Sequence, residues 1–328
     1  MSLRELPAVH RLLGEPDLAG YGALLGSTVV KAAVDDVLRE ARRAGVPPYE
    51  QLIARVRARL AREECEGLVD VVNATGVLLH TNLGRAPLSS AALEAVRGAA
   101  GATNLEFDLE AGTRGSRYER TSALLRAATG AEGALVVNNC AAAVLLVVDT
   151  FARSAGDARE VVAARGELFE IGGGLRLPDV LARSGATLVE VGTANKTYVE
   201  DFERALSART ALLLRTHPAN VRVEGFVAAP SGAQIAELGK RAGVPAFEDL
   251  GSGALVDLER FGLPHERTVQ EAITDGFDLV AFSGDKLLGW PQAGIVAGKS
   301  AAIARLRANP LLRALRVDKT TLAALGAT

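Results

Sequence analysis

The segment Asp278-Leu279-Val280-Ala281-Phe282-Ser283-Gly284-Asp285-Lys286-Leu287-Leu288-Gly289 joins a short apolar strand to a Ser-Gly-Asp-Lys turn that ends in glycine. A lysine that follows such a strand lies at the edge of the sheet where open α/β folds bind their ligands. A desolvated lysine has a lowered pKa, and its amine becomes a nucleophile toward an aldehyde. Considered alone, the segment is equally consistent with a solvated loop lysine.

Short apolar runs alternate with helical stretches on both sides of this segment. The predicted strands are 134–137, 161–164, 187–191, 210–214, 245–247 and 279–282. Helices are predicted between them, for example over 89–100, 120–128 and 231–242. Strands and helices at this spacing indicate βαβ units, so we expect an α/β domain with a mainly parallel sheet that is covered on both faces.

A second polar group follows an earlier strand of this series. Asp249 comes after a short apolar run and before the small-residue turn Gly251-Ser252-Gly253. A carboxylate there could hold the pyridinium nitrogen of pyridoxal phosphate (PLP) in its protonated form, which makes the ring an electron sink. The alternative is that Asp249 only caps the turn that follows it.

An anion site is predicted where the run Ala134–Val137 gives way to a helix. Asn138, Asn139 and Cys140 place backbone amides and small side chains at that helix start, where free N–H groups bind phosphate; a simple helix cap is the alternative. Along the chain the order is phosphate cradle, Asp249 and then Lys286, 37 residues later. That order is usual in PLP enzymes with the aspartate aminotransferase fold.

Composition limits the class of protein. The 328 residues, 48% hydrophobic and 23% charged, suit a folded protein with one large domain and a smaller one. A net charge of −2 argues against binding nucleic acid over the whole surface. Two cysteines, no secretory signal and no apolar stretch long enough for a bilayer predict a cytoplasmic protein without a membrane segment.

Residues 1–66 form a different region, which is predicted to be helical. It holds a cluster of arginines faced by few acidic residues: Arg39, Arg42, Arg43, Arg55, Arg57, Arg59 and Arg62. A solvated helix face and a contact with a phosphate backbone both fit this cluster. The predicted domains are therefore 1–66, helical, and 67–328, catalytic.

Other side chains complete the list of candidates. Arg85, Arg313 and Arg316 could bind an oxyanion with their planar forks, and the last two are predicted to share one helix face. Ser283, in the lysine turn, and His217, beside the proposed site, are candidates for cofactor binding. The histidines show no metal-ligand spacing.

With these residues in place, the chain resembles the bacterial selenocysteine synthases, also called L-seryl-tRNA(Sec) selenium transferases. The resemblance covers essentially the whole length and includes the motif Asn82-Leu83-Gly84-Arg85-Ala86-Pro87-Leu88. The similar blocks are 4–9, 73–88, 104–109, 115–117, 165–168, 190–193, 249–253, 283–289 and 313–319.

The resemblance implies a PLP enzyme with the aspartate aminotransferase-like fold (fold type I). It would convert L-seryl-tRNA(Sec) to L-selenocysteinyl-tRNA(Sec) with selenophosphate, through an aminoacrylyl intermediate. Lys286 would bind PLP as an imine and carry protons with help from Asp285, while Arg85, Arg313 and Arg316 would hold selenophosphate. The resemblance also implies a tRNA-binding N-terminal domain and a homo-oligomer, a ring of dimers with active sites at dimer interfaces.

The chain departs from the family pattern at several points. Trp290 stands where the family usually has glycine, and Cys140 where it has asparagine. The family's C-terminal small domain is expected to be missing after Thr328, so the chain is expected to be truncated. Two alternatives follow: a related PLP lyase acting on a small amino acid or amino-sugar phosphate, and an inactive copy that binds tRNA or other subunits.

Overall fold

The computed structural model describes residues 6–64, 69–154, 159–219 and 221–328. The chain divides into two compact units, the first ending at Ala74 and the second beginning at Thr75. The boundary predicted after residue 66 falls within 65–68, outside the described residues, as do residues 1–5 of the predicted helical region and Cys65.

In its described residues, the first unit consists of four helices with a common apolar core. They are α1 (Val9–Leu13), α2 (Pro16–Leu25), α3 (Ser27–Ala44) and α4 (Tyr49–Glu64). On α3 the side chains of Val30, Val34 and Leu38 recur every four residues and are buried in one cluster with Val56 and Leu60 of α4. This apolar stripe packs inward and leaves the charged residues of both helices toward solvent.

The second unit contains a seven-stranded sheet and two small hairpins. Its strands are β1 (Phe107–Asp108), β2 (Thr113–Arg114), β3 (Gly133–Val137), β4 (Glu160–Ala164), β5 (Glu170–Ile171), β6 (Leu175–Arg176), β7 (Thr187–Val191), β8 (Thr210–Thr216), β9 (Ala246–Gly251), β10 (Leu279–Ser283) and β11 (Gly294–Gly298). Its helices are α5 (Ser90–Ala99), α6 (Glu119–Thr129), α7 (Cys140–Ser154), α8 (Leu177–Arg183), α9 (Val199–Ala205), α10 (Gly232–Ala242), α11 (Val269–Asp275), α12 (Ser300–Ala308), α13 (Leu311–Leu315) and α14 (Lys319–Ala327).

The large sheet has the order β3-β11-β10-β9-β8-β4-β7. β10, β9, β8, β4 and β7 run parallel to one another, whereas β11 is antiparallel to both of its neighbours. On β3, Leu135 and Val137 belong to one apolar cluster and Ala134 and Val136 to another. Both faces of the sheet are therefore covered, which explains why its strands are so apolar.

All six strands predicted from the sequence occur, with bounds that differ by a few residues. β11 was not predicted, and it is the element that separates β3 from β10. The helix predicted to carry both Arg313 and Arg316 is shorter than expected: α13 ends at Leu315, and Arg316 lies after it in extended backbone that pairs with Val137. The prediction of one shared helix face was wrong for this pair.

None of the helices in the described ranges combines the length and apolar character needed to cross a membrane.

Candidate active site

The parallel strands end at one edge of the sheet and bring the predicted residues together there. The register pairs Thr216 of β8 with Asp249 of β9, and Asp249 with Ala281 of β10. Lys286 follows β10 by three residues. Because carboxyl ends of adjacent parallel strands meet at the same edge, residues that are 37 positions apart in sequence become neighbours.

Lys286 lies next to the end of β9. A Cβ placed on Gly251, whose φ is +68°, would be 3.8 Å from Lys286 Nζ. Lys286 and Asp249 line the same cavity of about 50 Å³, together with Thr216, His217 and Glu167. Lys286 also lines a larger cavity, of about 920 Å³, which includes Arg85 and His80. Lys286 therefore borders two cavities, a small one that it shares with Asp249 and a larger one that it shares with Arg85.

The turn that carries Lys286 is fixed by close packing around Gly284. A side chain at Gly284 would lie 2.7 Å from the carbonyl oxygen of Pro291. The Gly284 amide donates to the carbonyl of Ala293, and the Gly284 carbonyl accepts from the amide of Trp290. Trp290 packs partly against the apolar core and, among the described residues, is absent from the lining of both cavities at Lys286. The glycine-to-tryptophan departure therefore does not fill these cavities.

Asp249 is the buried acid of the site, with 7% of its surface exposed. Burial raises the pKa of Asp249 to about 6, while the Cys140 thiol and the charge of Lys286 act in the opposite direction. The Cys140 Sγ donates to Asp249 Oδ1 at 3.4 Å. Burial, followed by the charge of Asp249, raises the pKa of that thiol well above its ordinary value, so Cys140 is a hydrogen-bond donor rather than a thiolate nucleophile.

The predicted phosphate cradle is the N-terminus of α7. Asn139 Oδ1 accepts the amide of Ala142 at 2.9 Å, which is the capping role given above as the alternative. The Asn138 amide donates to the Leu315 carbonyl at 3.0 Å, so it is already engaged. The Ala143 amide donates to the Asn139 carbonyl, so the first-turn N–H groups of α7 that have no partner among the described residues are those of Cys140 and Ala141, and these two remain suited to an anion.

Asp285 and His217 are both held by charged neighbours. Arg85 Nη1 donates to Asp285 Oδ2 at 2.8 Å, and the Asp285 carboxyl is almost fully buried. Arg85 has φ +64°, an uncommon backbone conformation for a residue other than glycine. His217 Nε2 lies 3.0 Å from Glu266 Oε1, and this contact lowers the pKa of Glu266. These pairs restrict both side chains.

The three arginines predicted to hold an oxyanion do not line one cavity within a single chain. Arg85 lines the cavity at Lys286. Arg313 and Arg316 line a separate cavity of about 420 Å³, which also includes Arg117 and Arg307.

Glu167 lines the Lys286 cavity and was given no role from the sequence. Burial raises its pKa to about 7. It belongs to one of the blocks similar to the family, but its residue type and position carry no separate signal. Only the position of Glu167 directly after β4, at the same edge of the sheet, could have indicated from the sequence that it belongs to the site.

Comparison with known proteins identifies the family. The family model described as L-seryl-tRNA selenium transferase matches residues 71–328, and the one described as selenocysteine synthase N terminal matches residues 3–42. The L-seryl-tRNA(Sec) selenium transferase of Moorella thermoacetica is 51% identical over 332 residues, covering 99% of this chain and 70% of the relative. The protein of the same name from Carboxydothermus hydrogenoformans is 47% identical, covering 99% and 71%.

Solved structures confirm the predicted fold class. D-glucosaminate-6-phosphate ammonia-lyase matches with a TM-score of 0.65 at 22% identity, covering 81% of this chain and 68% of that one. A mutant Thermus thermophilus aspartate aminotransferase matches with a TM-score of 0.52 at 18% identity, covering 80% and 71%. At these identities the likeness concerns the fold alone. The sequence matches confirm the family predicted from the motifs: the chain belongs to the L-seryl-tRNA selenium transferase family.

Proposed function

We propose that this chain is a PLP-dependent transferase that converts L-seryl-tRNA(Sec) to L-selenocysteinyl-tRNA(Sec) with selenium from selenophosphate. Its identity to the named transferases along nearly its whole length carries the proposal. The shared cavity of Lys286 and Asp249 supports it, because such an amine and carboxylate are what the chemistry requires. These substrates belong to translation, so the proposed location is the cytoplasm.

The residues of the site fit PLP. Thr216 Oγ1 is buried without a hydrogen-bond partner among the described residues, although it lines the Lys286 cavity. Such an orphaned hydroxyl calls for a ligand atom or water. Asp249 would hold the ring nitrogen, Lys286 the aldehyde carbon, and the first turn of α7, with Asn138, Asn139 and Cys140, the phosphate. Ser283 and His217 would line the remaining walls.

When bound, PLP supplies an aldehyde for amines and a ring that withdraws electrons from Cα of the amino acid. The chain's own groups handle the protons. The amine of Lys286 takes the proton from Cα of the seryl group and later returns it. Asp285, fixed by Arg85, lies next to Lys286 in the chain and would help to position the amine. Asp249, fixed by Cys140, keeps the ring nitrogen protonated.

Selenophosphate would be held by Arg85, Arg313 and Arg316. Because Arg85 lines a different cavity from the other two, one chain alone does not assemble this set. We propose that a second copy of the chain completes it, so that the active enzyme is a homo-oligomer. Arg313 and Arg316 of one copy would then face Arg85 of another.

The tRNA would bind the N-terminal unit. Arg39, Arg57 and Arg59 form ion pairs with acidic residues of the unit itself. Four other arginines of α3 and α4 are exposed and have no ion pair with any described residue: Arg42, Arg43, Arg55 and Arg62. Free guanidinium groups on one small unit are suited to a phosphate backbone.

Trapping the cofactor tests the site directly. The protein is incubated with PLP and reduced with borohydride, and the labelled peptide is mapped. Label is expected on Lys286 and is expected to disappear in Lys286→Ala, whereas Lys240→Ala, an exposed residue of α10, should be labelled normally. Label on another lysine would refute the site assignment.

Turnover separates the proposed reaction from its alternatives. The reconstituted protein is offered seryl-tRNA(Sec) or free serine, with selenophosphate in both cases. Selenocysteinyl-tRNA formation supports the transferase. Turnover of free serine alone would point to a lyase of small amino acids. A protein that folds, binds tRNA and turns over neither substrate would be an inactive copy.

A further inference from the structure

Glu167 is held at the Lys286 cavity by its backbone. It ends a short 3-10 turn, Arg165–Glu167, directly after β4. The middle residue, Gly166, is packed so closely that a Cβ would lie 2.6 Å from the carbonyl oxygen of Ala194. The first residue, Arg165, is tied to Glu190 by a 2.9 Å hydrogen bond. The turn therefore has little freedom, and Glu167 is directed to the sheet edge where β8 and β9 end.

Only one of the two carboxyl oxygens of Glu167 accepts a hydrogen bond from a described residue. Its Oε2 accepts the Thr216 amide at 2.8 Å, while Oε1 has no hydrogen-bond partner in the described part of the chain. No cation of the described ranges forms an ion pair with it. The nearby Arg215 donates instead to the buried Glu248. Desolvation of this half-buried carboxyl favours the protonated acid and raises the pKa of Glu167 to about 7, while the Thr216 amide and the charge of Arg215 act in the opposite direction.

The other acids of this edge are already engaged. Asp249 accepts the Cys140 thiol, Asp285 is paired with Arg85, and Glu266 is paired with His217. Of the described carboxyls that line the Lys286 cavity, Glu167 is the one without a side-chain hydrogen bond, because Asp249 accepts the Cys140 thiol and Glu170 accepts from Arg176.

We propose that Glu167 is the proton donor to the hydroxyl group that leaves the seryl side chain. This inference rests on the function proposed above. The Cβ–O bond breaks and its electron pair leaves with the oxygen, which takes the proton of Glu167 and departs as water. The electron pair of the Cα–H bond becomes the Cα=Cβ bond, and that proton goes to Lys286. Solvent then restores the proton of Glu167.

Removal of the Cα proton and loss of the hydroxyl can be measured separately. In Glu167→Gln, exchange of the Cα proton of seryl-tRNA with deuterium should continue at the wild-type rate. Hydroxyl loss should fall by about 10²–10⁴-fold, the usual contribution of a positioned acid. A tRNA carrying β-chloroalanine, whose chloride leaves without a proton, should react with the variant at close to the wild-type rate.

The matched control is Glu190→Gln, which removes a carboxylate charge outside the cavity, while the amide oxygen of glutamine can still accept the hydrogen bond from Arg165 that restrains the turn. It should keep both rates. If Glu167→Gln slows exchange, hydroxyl loss and chloride loss equally, the residue is structural and the inference is wrong. If the wild-type protein exchanges no Cα proton on seryl-tRNA, the proposed function fails instead.

A cofactor-free measurement adds an independent readout. Protein labelled with ¹³C at glutamate carboxyl carbons should show one signal that titrates at about pH 7. That signal should be missing in Glu167→Gln and present in Glu190→Gln. Titration of every glutamate near its ordinary pKa would also overturn the inference.

Discussion

Replacing Asp249 by asparagine should stabilise the cofactor-free protein at neutral pH while weakening its cofactor site. Burial raises the pKa of Asp249 from 3.8 to about 6. Each pKa unit corresponds to about 1.36 kcal/mol, so the ionised carboxylate lowers the free energy of unfolding by about 3 kcal/mol. The asparagine side chain of the variant would carry no charge and would not incur this loss.

The direction in which the stability changes with pH follows from the raised pKa of Asp249. The folded chain holds the Asp249 proton more tightly than the unfolded chain does. Its stability is therefore unaffected below about pH 4, falls as the pH rises, and reaches its full loss above about pH 6. Any cost of burying the asparagine amide is the same at every pH. The relevant quantity is thus the change with pH in the difference between Asp249→Asn and wild type.

Urea denaturation of both cofactor-free proteins at pH 4 and pH 8 measures this quantity. Asp249→Asn should gain about 2–3 kcal/mol over wild type between the two conditions. Asp179→Asn, at an exposed position in the first turn of α8, should show a change below about 0.5 kcal/mol. Equal changes for the two variants would refute the assignment of a destabilising charge to Asp249. PLP binding, measured by absorbance, should be weaker in Asp249→Asn. That result would link the destabilisation caused by the Asp249 charge to the function of the site.

Three further predictions concern packing and partners. Glu248→Gln should cost about 3–5 kcal/mol in urea denaturation, because the fully buried carboxylate neutralises both Arg215 and Arg267. Gly294→Ala should lower the melting temperature and abolish PLP binding, because its Cβ would lie 2.0 Å from the Asn139 carbonyl oxygen at the cradle. Replacing the four exposed arginines of α3 and α4 that form no ion pair with a described residue, Arg42, Arg43, Arg55 and Arg62, by alanine should weaken tRNA binding. The slope of log affinity against log salt should decrease by about 0.7–0.9 per lost phosphate contact, while Cα exchange at saturating tRNA should be unchanged.

Much of the sheet could be predicted from the sequence because its strands are buried on both faces. Runs such as Gly133–Val137 and Leu279–Ser283 are almost continuously apolar and follow recognisable helices. β11 escaped prediction because Gly294–Gly298 is short, is bounded by glycine and follows Pro291-Gln292-Ala293, a sequence typical of a loop. What makes it a strand is pairing with β3 and β10, which is a long-range property.

The candidate site shows the same limit. Strand order placed Asp249 and Lys286 at one edge, but the contact between Cys140 and Asp249 joins residues 109 positions apart. Glu167 takes its amide donor from Thr216, 49 positions away. Neither pairing leaves a local pattern, since a sequence specifies which strands are buried more readily than which side chains meet at their ends.

Two acids that line one small cavity can have different protonation states at the same pH when their surroundings differ. Desolvation raises the pKa of both acids, to about 6 for the buried Asp249 and to about 7 for the half-buried Glu167. Asp249 receives the Cys140 thiol and the charge of Lys286, which favour the carboxylate and suit it to hold a ring nitrogen in its protonated form. Glu167 forms no ion pair with any described residue and accepts only the backbone amide of Thr216, so its desolvation favours the neutral acid. Near pH 7 the site can therefore hold an ionised Asp249 together with a substantial fraction of protonated Glu167, the division needed for one acid to orient the cofactor while the other gives up a proton.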